Sequence, residues 1–309
     1  MEESAGMAEQ QRGSVTVRVP AKVNVQLAVG GARPDGFHDL ASVFLAVSLF
    51  DEVTVRPADG LRITCSGPDA DQVPLDRTNL AARAAELLAA RHGIAPDVHI
   101  HIAKDIPVAG GMAGGSADGA GALLACDALW GLNSSRAELL EICAELGSDV
   151  PFSLAGGAAL GIGRGEQLTE LPAGGPFHWV FAVADGGLST PAVYREFDRL
   201  NEGVDVPEPA ASTALLEALR TGDVTALAAA LGNDLQPAAL SLRPSLAATL
   251  ETGMQAGALA ALVSGSGPTT AFLTKDEDGA QAVAAALTAS GTCRAARVTT
   301  SPAPGATVV

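Results

Sequence analysis

The chain has 309 residues, of which 48% are hydrophobic and 17% charged, so it is long and apolar enough for a sizeable core, which excludes general disorder. The formal net charge of −16 predicts an acidic surface and argues against nucleic acid or an anionic membrane as a partner. The four cysteines lack metal-like spacing, and the sequence shows neither a signal peptide nor an apolar anchor, which together predict a cytoplasmic protein.

The N-terminal half is predicted to begin with strands and to continue with alternating strands and helices. Residues 1–13 are polar and acidic without an apolar core, which predicts a disordered tail. Alternating or short apolar runs predict strands over residues 14–19, 22–27, 41–49, 52–56, 61–65 and 98–102. Helical signals predict a helix capped by Thr78 that runs to about residue 92, a second over residues 117–130, and a third from about Ser135.

The C-terminal half mixes strands with alanine-rich helices. Glycine-rich, β-like residues 156–171 contain the expected domain boundary, and residues 201–209 form a proline- and acid-rich linker. Strands are predicted over residues 179–184, on both sides of a loop within 259–274, and near residue 295. Helices are predicted over residues 191–200, 212–231, 242–256 and 276–290. The pattern predicts a two-domain α+β architecture.

The segment Pro107-Val-Ala-Gly-Gly-Met-Ala-Gly-Gly-Ser-Ala-Asp118 places four glycines between a predicted strand and a predicted helix. Glycine allows backbone N–H groups to approach a ligand closely, and a helix N-terminus adds free N–H groups and a positive dipole end. With Ser116 as the expected helix cap, the segment predicts a phosphate site, although a flexible turn is the alternative. It lacks the GK[ST] ending of a P-loop, which argues against that family.

Two charged residues outside the glycine segment are candidates for phosphoryl-transfer chemistry. Such a reaction needs a group that accepts the proton of the attacking hydroxyl and a cation that offsets charge on the phosphoryl group. Asp149 and Lys22 fit these two needs, although an aspartate before a proline is often only a turn or cap residue. Lys22 and Asn24 share one face of their strand, which is either a solvated edge or the wall of a site.

Further motifs leave more than one interpretation open. His38 follows a turn, and beside Phe37 it could form a platform that stacks on and hydrogen-bonds a base, or it could simply be exposed. Ser264-Gly-Ser-Gly-Pro-Thr269 is either an anion-binding turn or a tight hairpin. Gly161-Ile-Gly-Arg-Gly165 lacks the full dinucleotide spacing and opens no helix, so we interpret it as a hairpin.

Five motifs in order resemble those of one superfamily, the galactokinase, homoserine, mevalonate and phosphomevalonate kinases. Three are Lys22-Val-Asn-Val-Gln-Leu27, the glycine segment and Ser264-Gly-Ser-Gly-Pro268. The other two, Arg33-Pro-Asp-Gly-Phe-His-Asp-Leu40 and Leu146-Gly-Ser-Asp-Val-Pro-Phe152, closely resemble the family of kinases that act on 4-diphosphocytidyl-2-C-methyl-D-erythritol. The resemblance spans about residues 15–300.

The resemblance implies a two-lobed α+β small-molecule kinase with mixed sheets packed against helices and a site in the cleft between the lobes. The N-terminal ATP-binding domain would be residues 14–160, and the C-terminal substrate-binding domain would be residues 161–309. The implied reaction is ATP-dependent phosphorylation of the substrate's 2-hydroxyl, in the methylerythritol phosphate route of isoprenoid precursor biosynthesis. The implied partners are this small molecule and ATP.

The resemblance also implies roles for individual residues. Asp149 would take the proton from the 2-hydroxyl, and Lys22 would hold that hydroxyl and stabilise charge on the transferred phosphoryl. His38 would hydrogen-bond the cytosine, which would lie between Phe37 and Tyr194. The positions expected to bind ATP, usually with Mg²⁺, are Pro107, Val108, Ala109, Gly110, Gly111, Met112, Ala113, Gly114, Gly115, Ser116 and Ala117. The other positions expected to bind substrate are Asn24, Gly265, Ser266 and Gly267. No metal ligand is assigned.

Two positions depart from the family pattern. Phe37 stands where the family commonly has Tyr, which keeps a stacking face but loses a hydroxyl. Asp118 stands where the family often has Asn, so no phosphate-binding role is assigned to it. Two alternatives stay open: a kinase of homoserine or a mevalonate-type acid, which Phe37 and His38 disfavour, and a nucleotide-binding protein without transferase activity, which Lys22 and Asp149 disfavour.

Overall fold

The structure is a computed structural model that describes residues 13–108 and 110–309. The strands in these residues are β1 (Val15–Ala32), β2 (His38–Pro57), β3 (Arg62–Ser66), β4 (Val98–Ala103), β5 (Ala158–Gly163), β6 (Gln167–Glu170), β7 (Phe177–Val183), β8 (Gly232–Asn233), β9 (Ala260–Val263), β10 (Thr270–Thr274), β11 (Ala295–Ser301) and β12 (Thr307–Val308). The α-helices are α1 (Leu80–His92), α2 (Gly114–Trp130), α3 (Arg136–Leu146), α4 (Val150–Ala155), α5 (Thr190–Leu200), α6 (Thr213–Thr221), α7 (Val224–Ala230), α8 (Gln236–Leu242), α9 (Ser245–Gln255) and α10 (Glu277–Ser290).

The first sheet is built around β1 and β2, which pair antiparallel along their lengths. It has the order β12-β1-β2-β4-β3, with β5 also on β2, β6 on β5, and β8 parallel to β1. The N-terminal half of β2 pairs with β5 and its C-terminal half pairs with β4. The two strands predicted on either side of Pro20 are therefore one irregular strand, as are the two predicted within β2, with register shifts where the pairing is interrupted.

The second sheet contains β11, β7, β10 and β9 in that order, and all its pairs are antiparallel. Both sheets contribute to one hydrophobic cluster, in which Val23 and Leu45 of the first sheet and Phe181 and Leu273 of the second are fully buried with Leu123 of α2. The observed arrangement confirms the predicted α+β class, with mixed sheets packed against helices.

The helices differ from their predicted bounds at several ends. The predicted helix over 212–231 is two helices, because Gly222 takes a left-handed conformation and Asp223 caps a new start. The cap of α1 is Asn79 rather than Thr78, since the Asn79 side chain accepts the N–H of Ala81. Two short helices, α4 and α8, were missed because six or seven residues show too little periodicity to be recognised.

The predicted division at residue 160 stays a prediction, and β5 spans that position while pairing with β2. Residues 1–12 of the predicted tail, and Ala109 of the glycine segment, lie outside the described residues. Within the described residues, no helix combines the length and apolar character needed to cross a membrane.

Candidate active site

The two residues proposed for chemistry lie together at one end of a hydrogen-bonded row. The Nζ of Lys22 is 3.5 Å from Oδ2 of Asp149 and donates to Oδ1 of Asn24 at 2.6 Å. Asn24 in turn donates through Nδ2 to the hydroxyl of Ser42 on β2 at 2.7 Å. Val23, between the two polar residues, points to the opposite face and is fully buried. The polar face of β1 is therefore the wall of a site rather than a solvated edge.

Asp149 immediately precedes α4, and Pro151 stands in the first turn of that helix. Although Asp149 occupies the cap position, its side chain makes no capping hydrogen bond. The carboxylate is instead paired with Lys22, whose side chain is 6% exposed while that of Asp149 is 33% exposed. A buried ammonium thus holds a carboxylate that is open to the cleft, which a turn or cap role would not require.

The glycine segment leads directly into α2, which begins at Gly114. Ala113 occupies the N-cap position of α2 with a left-handed backbone, φ 61°, and its side chain makes no capping hydrogen bond. The prediction that Ser116 caps the helix is wrong: Ser116 lies inside the first turn, because the left-handed turn at Ala113 starts the helix three residues earlier. The N–H groups of residues 114–116 have no acceptor within the helix, as expected for a first turn.

Two glycine-containing loops hold each other in place. Gly111 has φ +75°, and a Cβ there would lie 2.1 Å from the carbonyl oxygen of Ser264. The Ser264 hydroxyl donates to the Gly111 carbonyl at 3.1 Å, and the Thr269 N–H donates to the Gly110 carbonyl at 3.3 Å. The backbone N–H of Lys22 donates to the Met112 carbonyl at 3.3 Å. The close approach requires glycine at 111 and ties the loop to both sheets.

The aromatic residues lie on the other side of the same cleft. The rings of His38 and Tyr194 are 5.0 Å apart, and Nε2 of His38 is 2.8 Å from Oδ1 of Asp198. Burial, with a smaller contribution from the charge of Asp149, raises the pKa of Tyr194. Phe37 is 51% exposed, and the guanidinium carbon of Arg164 lies 5.2 Å from the centre of its ring. His38 and Tyr194 therefore line a pocket in the wall of the cleft. Phe37 lies at the rim of this pocket, with its ring facing Arg164.

A cleft of about 750 Å³ contains these groups together. Its wall includes all nine residues predicted for catalysis or substrate binding, together with six residues of the glycine segment. Those residues are Lys22, Asn24, Phe37, His38, Asp149, Tyr194, Gly265, Ser266, Gly267, Gly110, Gly111, Ala113, Gly114, Gly115 and Ser116. Met112 and Ala117 are fully buried in the core, and Pro107 is also buried, so the contact of these three residues with ATP stays a prediction.

Six polar side chains at this cleft were not found from the sequence, and they are Ser42, Ser148, Arg164, Thr190, Arg195 and Asp198. Arg164 stands in the Gly161–Gly165 segment, whose interpretation as a hairpin is confirmed: the segment covers the end of β5 and the start of the turn that leads to the antiparallel strand β6. For Arg195, the one signal in the sequence is its position directly after Tyr194. The hydroxyls of Thr190 and Ser266 lie 2.9 Å apart across the cleft.

Comparison with known families places this geometry in one class. Family models described as GHMP kinases N terminal domain and GHMP kinases C terminal match residues 79–157 and 215–293. Homoserine kinase from Cytophaga hutchinsonii has a similar structure, with a TM-score of 0.75 at 22% identity over 96% of this chain and 98% of that one. The chain has the fold of the GHMP kinases and belongs to that superfamily.

Within this class the similarity is more specific. The 4-diphosphocytidyl-2-C-methyl-D-erythritol kinase of Streptomyces avermitilis is 82% identical over 96% of this chain and 100% of its own length. That of Mycobacterium tuberculosis is 57% identical over 96% and 93%. A crystal structure of 4-(cytidine 5'-diphospho)-2C-methyl-D-erythritol kinase has a TM-score of 0.74 at 35% identity over 92% of this chain and 98% of that chain. The chain belongs to the family of the 4-diphosphocytidyl-2-C-methyl-D-erythritol kinases.

Proposed function

We propose that the protein phosphorylates the 2-hydroxyl of 4-diphosphocytidyl-2-C-methyl-D-erythritol with ATP, giving the 2-phosphate and ADP in the methylerythritol phosphate route to isoprenoid precursors. The observation that carries the proposal is the single cleft in which the Lys22–Asp149 pair faces both the glycine segment and the His38–Tyr194 pocket. A nucleotide-binding protein without transfer chemistry would need no such pair, and a kinase of a small acid would need no pocket for a base.

The Asp149 carboxylate is the group that accepts the proton of the attacking hydroxyl. Kinases of this kind gain most of their rate from positioning and from charges aimed at the transferred phosphoryl. Lys22 serves both needs, because its ammonium is within 3.5 Å of Asp149 and is fixed by Asn24 at 2.6 Å. The hydroxyl bound between them is thus oriented for in-line attack, and the developing negative charge lies next to a buried cation.

The glycine segment and the first turn of α2 bind the phosphates of ATP. The N–H groups of residues 114–116 and the positive end of the helix dipole favour an anion at this place. A Cβ at Gly115 would meet nothing within 4 Å, so the surface above this turn is open to a ligand. The turn over residues 264–269, between β9 and β10, hydrogen-bonds to the segment and fixes its backbone.

We infer that Mg²⁺ enters with the nucleotide. Among the described residues, no group of three or more His, Cys, Asp and Glu side chains could hold a metal ion. Of the two carboxylates that line the cleft, Asp198 is bonded to His38 and Asp149 to Lys22. Magnesium commonly keeps several waters and binds through phosphate oxygens with few carboxylates, so this donor set fits a metal that the phosphates of ATP hold. When bound, Mg²⁺ neutralises phosphate charge.

The His38–Tyr194 pocket recognises the cytosine. In the tautomer whose Nε2–H donates a hydrogen bond to Oδ1 of Asp198 at 2.8 Å, Nδ1 of His38 is left as an acceptor. The exocyclic amine of cytosine is a donor, so the two groups are complementary. Arg164 and Arg195 line the same cleft, and their positive charges suit the diphosphate that joins the cytidine to the sugar alcohol.

The proposal is tested by measuring ADP release from ATP with three acceptors: diphosphocytidyl methylerythritol, homoserine and mevalonate. We expect turnover with the first and not with the other two. Turnover only with homoserine or mevalonate would refute the substrate assignment, and ATP binding without turnover on any acceptor would refute the kinase assignment. A cytoplasmic location, and small molecules rather than nucleic acid as partners, stay predictions from the sequence.

A further inference from the structure

Three ionisable side chains that the reaction does not use are buried together beneath the glycine segment. They are Asp51 on β2, Lys104 just after β4 and Asp118 on α2, and each side chain is at most 4% exposed. The Nζ of Lys104 donates to Oδ2 of Asp51 and, at 3.0 Å, to Oδ2 of Asp118. The other carboxyl oxygen of Asp118, Oδ1, is buried and has no hydrogen-bond partner among the described residues.

The hydrogen bonds distinguish the two carboxyl groups. Asp51 accepts three donors, because its Oδ1 takes the backbone N–H groups of Asp105 at 2.7 Å and Ile106 at 2.9 Å in addition to the Lys104 bond on Oδ2. Donors of this kind stabilise an ionised carboxylate. Asp118 has one donor only, and two carboxylates with one ammonium would leave an uncompensated negative charge in the interior. The proton that balances the cluster therefore belongs on Asp118.

The electrostatics of Asp118 agree with this assignment. Burial raises the pKa of Asp118 to about 8, although the charge of Lys104 opposes the shift. Lys104 keeps its proton: burial lowers its pKa, but the charge of Asp118, once that group ionises at high pH, and the charge of Asp51 more than compensate, so the pKa of Lys104 lies above the ordinary value. The cluster at neutral pH is then one carboxylate, one ammonium and one carboxylic acid, with no net charge.

The cluster is in contact with the start of α2. The Nζ of Lys104 lies 3.0 Å from the place where a Cβ on Gly114 would be, so the ammonium packs against the first residue of the helix. Asp118 lies four residues further along, on the next turn. The same ammonium thus connects β2 to both turns at the N-terminus of α2. A change in the charge or position of Lys104 acts directly on the backbone that faces the phosphates.

We propose that Asp51, Lys104 and Asp118 form a charge-balanced positioning cluster in which Asp118 is a neutral carboxylic acid, and that loss of its proton weakens ATP binding at the glycine segment. The part that concerns ATP rests on the proposed function; the protonation of Asp118 does not. The acid acts through Lys104 and the start of α2, so Asp118 is a positioning residue.

Other charged groups around α2 are occupied elsewhere. Besides Asp51 and Lys104, the titratable group that interacts with Asp118 is Cys65 on β3, whose thiol pKa is raised by burial and, to a lesser extent, by the Asp118 charge. The elements that pack on α2 carry their remaining charges in separate ion pairs or, like Arg83, at the surface. Those pairs are Arg77–Glu86, Arg91–Glu141, Arg91–Glu145, His92–Glu138, Arg18–Glu52, Lys22–Asp149, Arg33–Asp39, His38–Asp198 and Arg136–Glu170.

The protonation is tested with Asp118→Asn, which replaces a neutral acid by a neutral amide of the same shape. The folded state holds a proton that the unfolded chain, with an ordinary aspartate pKa near 4, releases. The stabilisation that the neutral Asp118 gives to the folded state is therefore complete below about pH 4 and is lost as pH rises to about 8. The free energy of unfolding of the wild type minus that of the variant should therefore fall between these values and be constant above them.

A second measurement assigns the proton to the residue. In protein labelled with ¹³C at the aspartate carboxyl carbons, one resonance should titrate near pH 8, and it should be missing from Asp118→Asn. If that resonance persists in the variant, or if the stability difference changes only below about pH 4 and rises there with pH, Asp118 is an ordinary carboxylate and the inference is overturned.

The effect on ATP binding is tested by calorimetry, which measures the dissociation constant of ATP for the wild type and for Asp118→Asn at about pH 7 and about pH 9. Wild-type affinity should fall about tenfold, the effect of one added charge roughly 10 Å from the phosphates at an effective dielectric of about 20. Asp118→Asn should bind ATP at both pH values as the wild type does at the lower one. The matched control is Asp127→Asn, a buried aspartate at the other end of α2, which should retain the wild-type pH dependence.

The two parts fail in different ways. If the protein binds no ATP at any pH, the proposed function is wrong, and the carboxyl titration still decides where the proton is. If ATP binds and the Asp118 resonance titrates near pH 8 but affinity does not change with pH, the positioning role is wrong. A parallel loss of affinity in Asp118→Asn and in the Asp127→Asn control would mean that both changes act through general stability, which also overturns it.

Discussion

Replacing Asp149 by Asn should abolish most turnover while leaving ATP binding intact. The variant keeps the shape of the side chain and an oxygen that can accept from Lys22, but it cannot take the proton of the hydroxyl. Removing a positioned general base costs a factor of about 10² to 10⁴ in rate, or about 3 to 5 kcal/mol of barrier. ATP affinity should change less than about threefold, because the phosphates contact the glycine segment rather than Asp149.

The effect of the change on folding follows from the pair distance. At 3.5 Å, the attraction between Lys22 and Asp149 is about 5 kcal/mol at an effective dielectric of 20 and about 1 kcal/mol at that of water. Asp149 is 33% exposed and Lys22 keeps its bond to Asn24, so the loss of stability should lie toward the lower value, about 1–2 kcal/mol. A variant this stable remains folded, and its kinetics report chemistry.

The assay measures ADP release at saturating ATP and substrate, with ATP binding measured separately by calorimetry. The control is Asp276→Asn, which changes the same chemical group at the cap of α10, outside the cleft, where asparagine caps as well as aspartate. It should leave turnover unchanged. A fall of less than about tenfold in kcat for Asp149→Asn, or an equal loss of ATP affinity, would refute the base assignment.

Three further changes test the cleft from other sides. Tyr194→Ala should raise KM for the diphosphocytidyl substrate about tenfold or more and KM for ATP much less, because the ring borders the base pocket and not the phosphate loop. Gly111→Ala should lower stability by about 1–3 kcal/mol and weaken ATP binding, since φ is +75° and the added Cβ would lie 2.1 Å from a carbonyl oxygen of the facing turn. Gly115→Ala, where a Cβ meets nothing within 4 Å, is its control for stability alone, because a Cβ there faces the proposed phosphate site. Arg164→Gln should raise substrate KM about tenfold without a matching change for ATP, through loss of a charge-assisted contact to the diphosphate.

Each of these can be contradicted by steady-state kinetics and thermal unfolding. Equal increases in both KM values for Tyr194→Ala would remove that residue from the base pocket. A Gly111→Ala protein as stable as Gly115→Ala would show that the two loops do not pack as closely as described. An unchanged substrate KM for Arg164→Gln would mean that this guanidinium serves only to cover Phe37, 5.2 Å away.

The parts of the site that the sequence predicts correctly are those that depend on local pattern. Period-two alternation along β1 places Lys22 and Asn24 on one face, and the structure shows that face lining the cleft. The strand–glycine–helix order also holds, because glycine content and apolar periodicity are local properties. The Ser116 cap was wrong for the same reason: a serine before an apolar run is a generic signal, and the left-handed turn at Ala113 is not visible in it.

What the sequence does not supply is the set of long-range partners. Asp198 is 160 residues from His38, and no periodicity connects them. Ser42 meets Asn24 only because β1 and β2 pair in one register, which two register shifts near Pro20 and Asn24 define. The Asp51–Lys104–Asp118 cluster likewise joins β2, the end of β4 and α2, so each aspartate by itself looks like an ordinary surface residue.

The local charges explain how a chain with a net charge of −16 can hold a triphosphate. Both carboxylates that line the cleft are already partnered, Asp149 by Lys22 and Asp198 by His38. The triphosphate therefore meets backbone N–H groups rather than free carboxylates, and the two arginines of the cleft are left for the diphosphate of the substrate. If Asp118 kept its charge beneath the glycine segment, this balance would be lost at the place where the phosphates lie. A neutral acid there and an acidic surface elsewhere are compatible, because exposed charges more than about 10 Å away are screened by salt whereas a buried one is not.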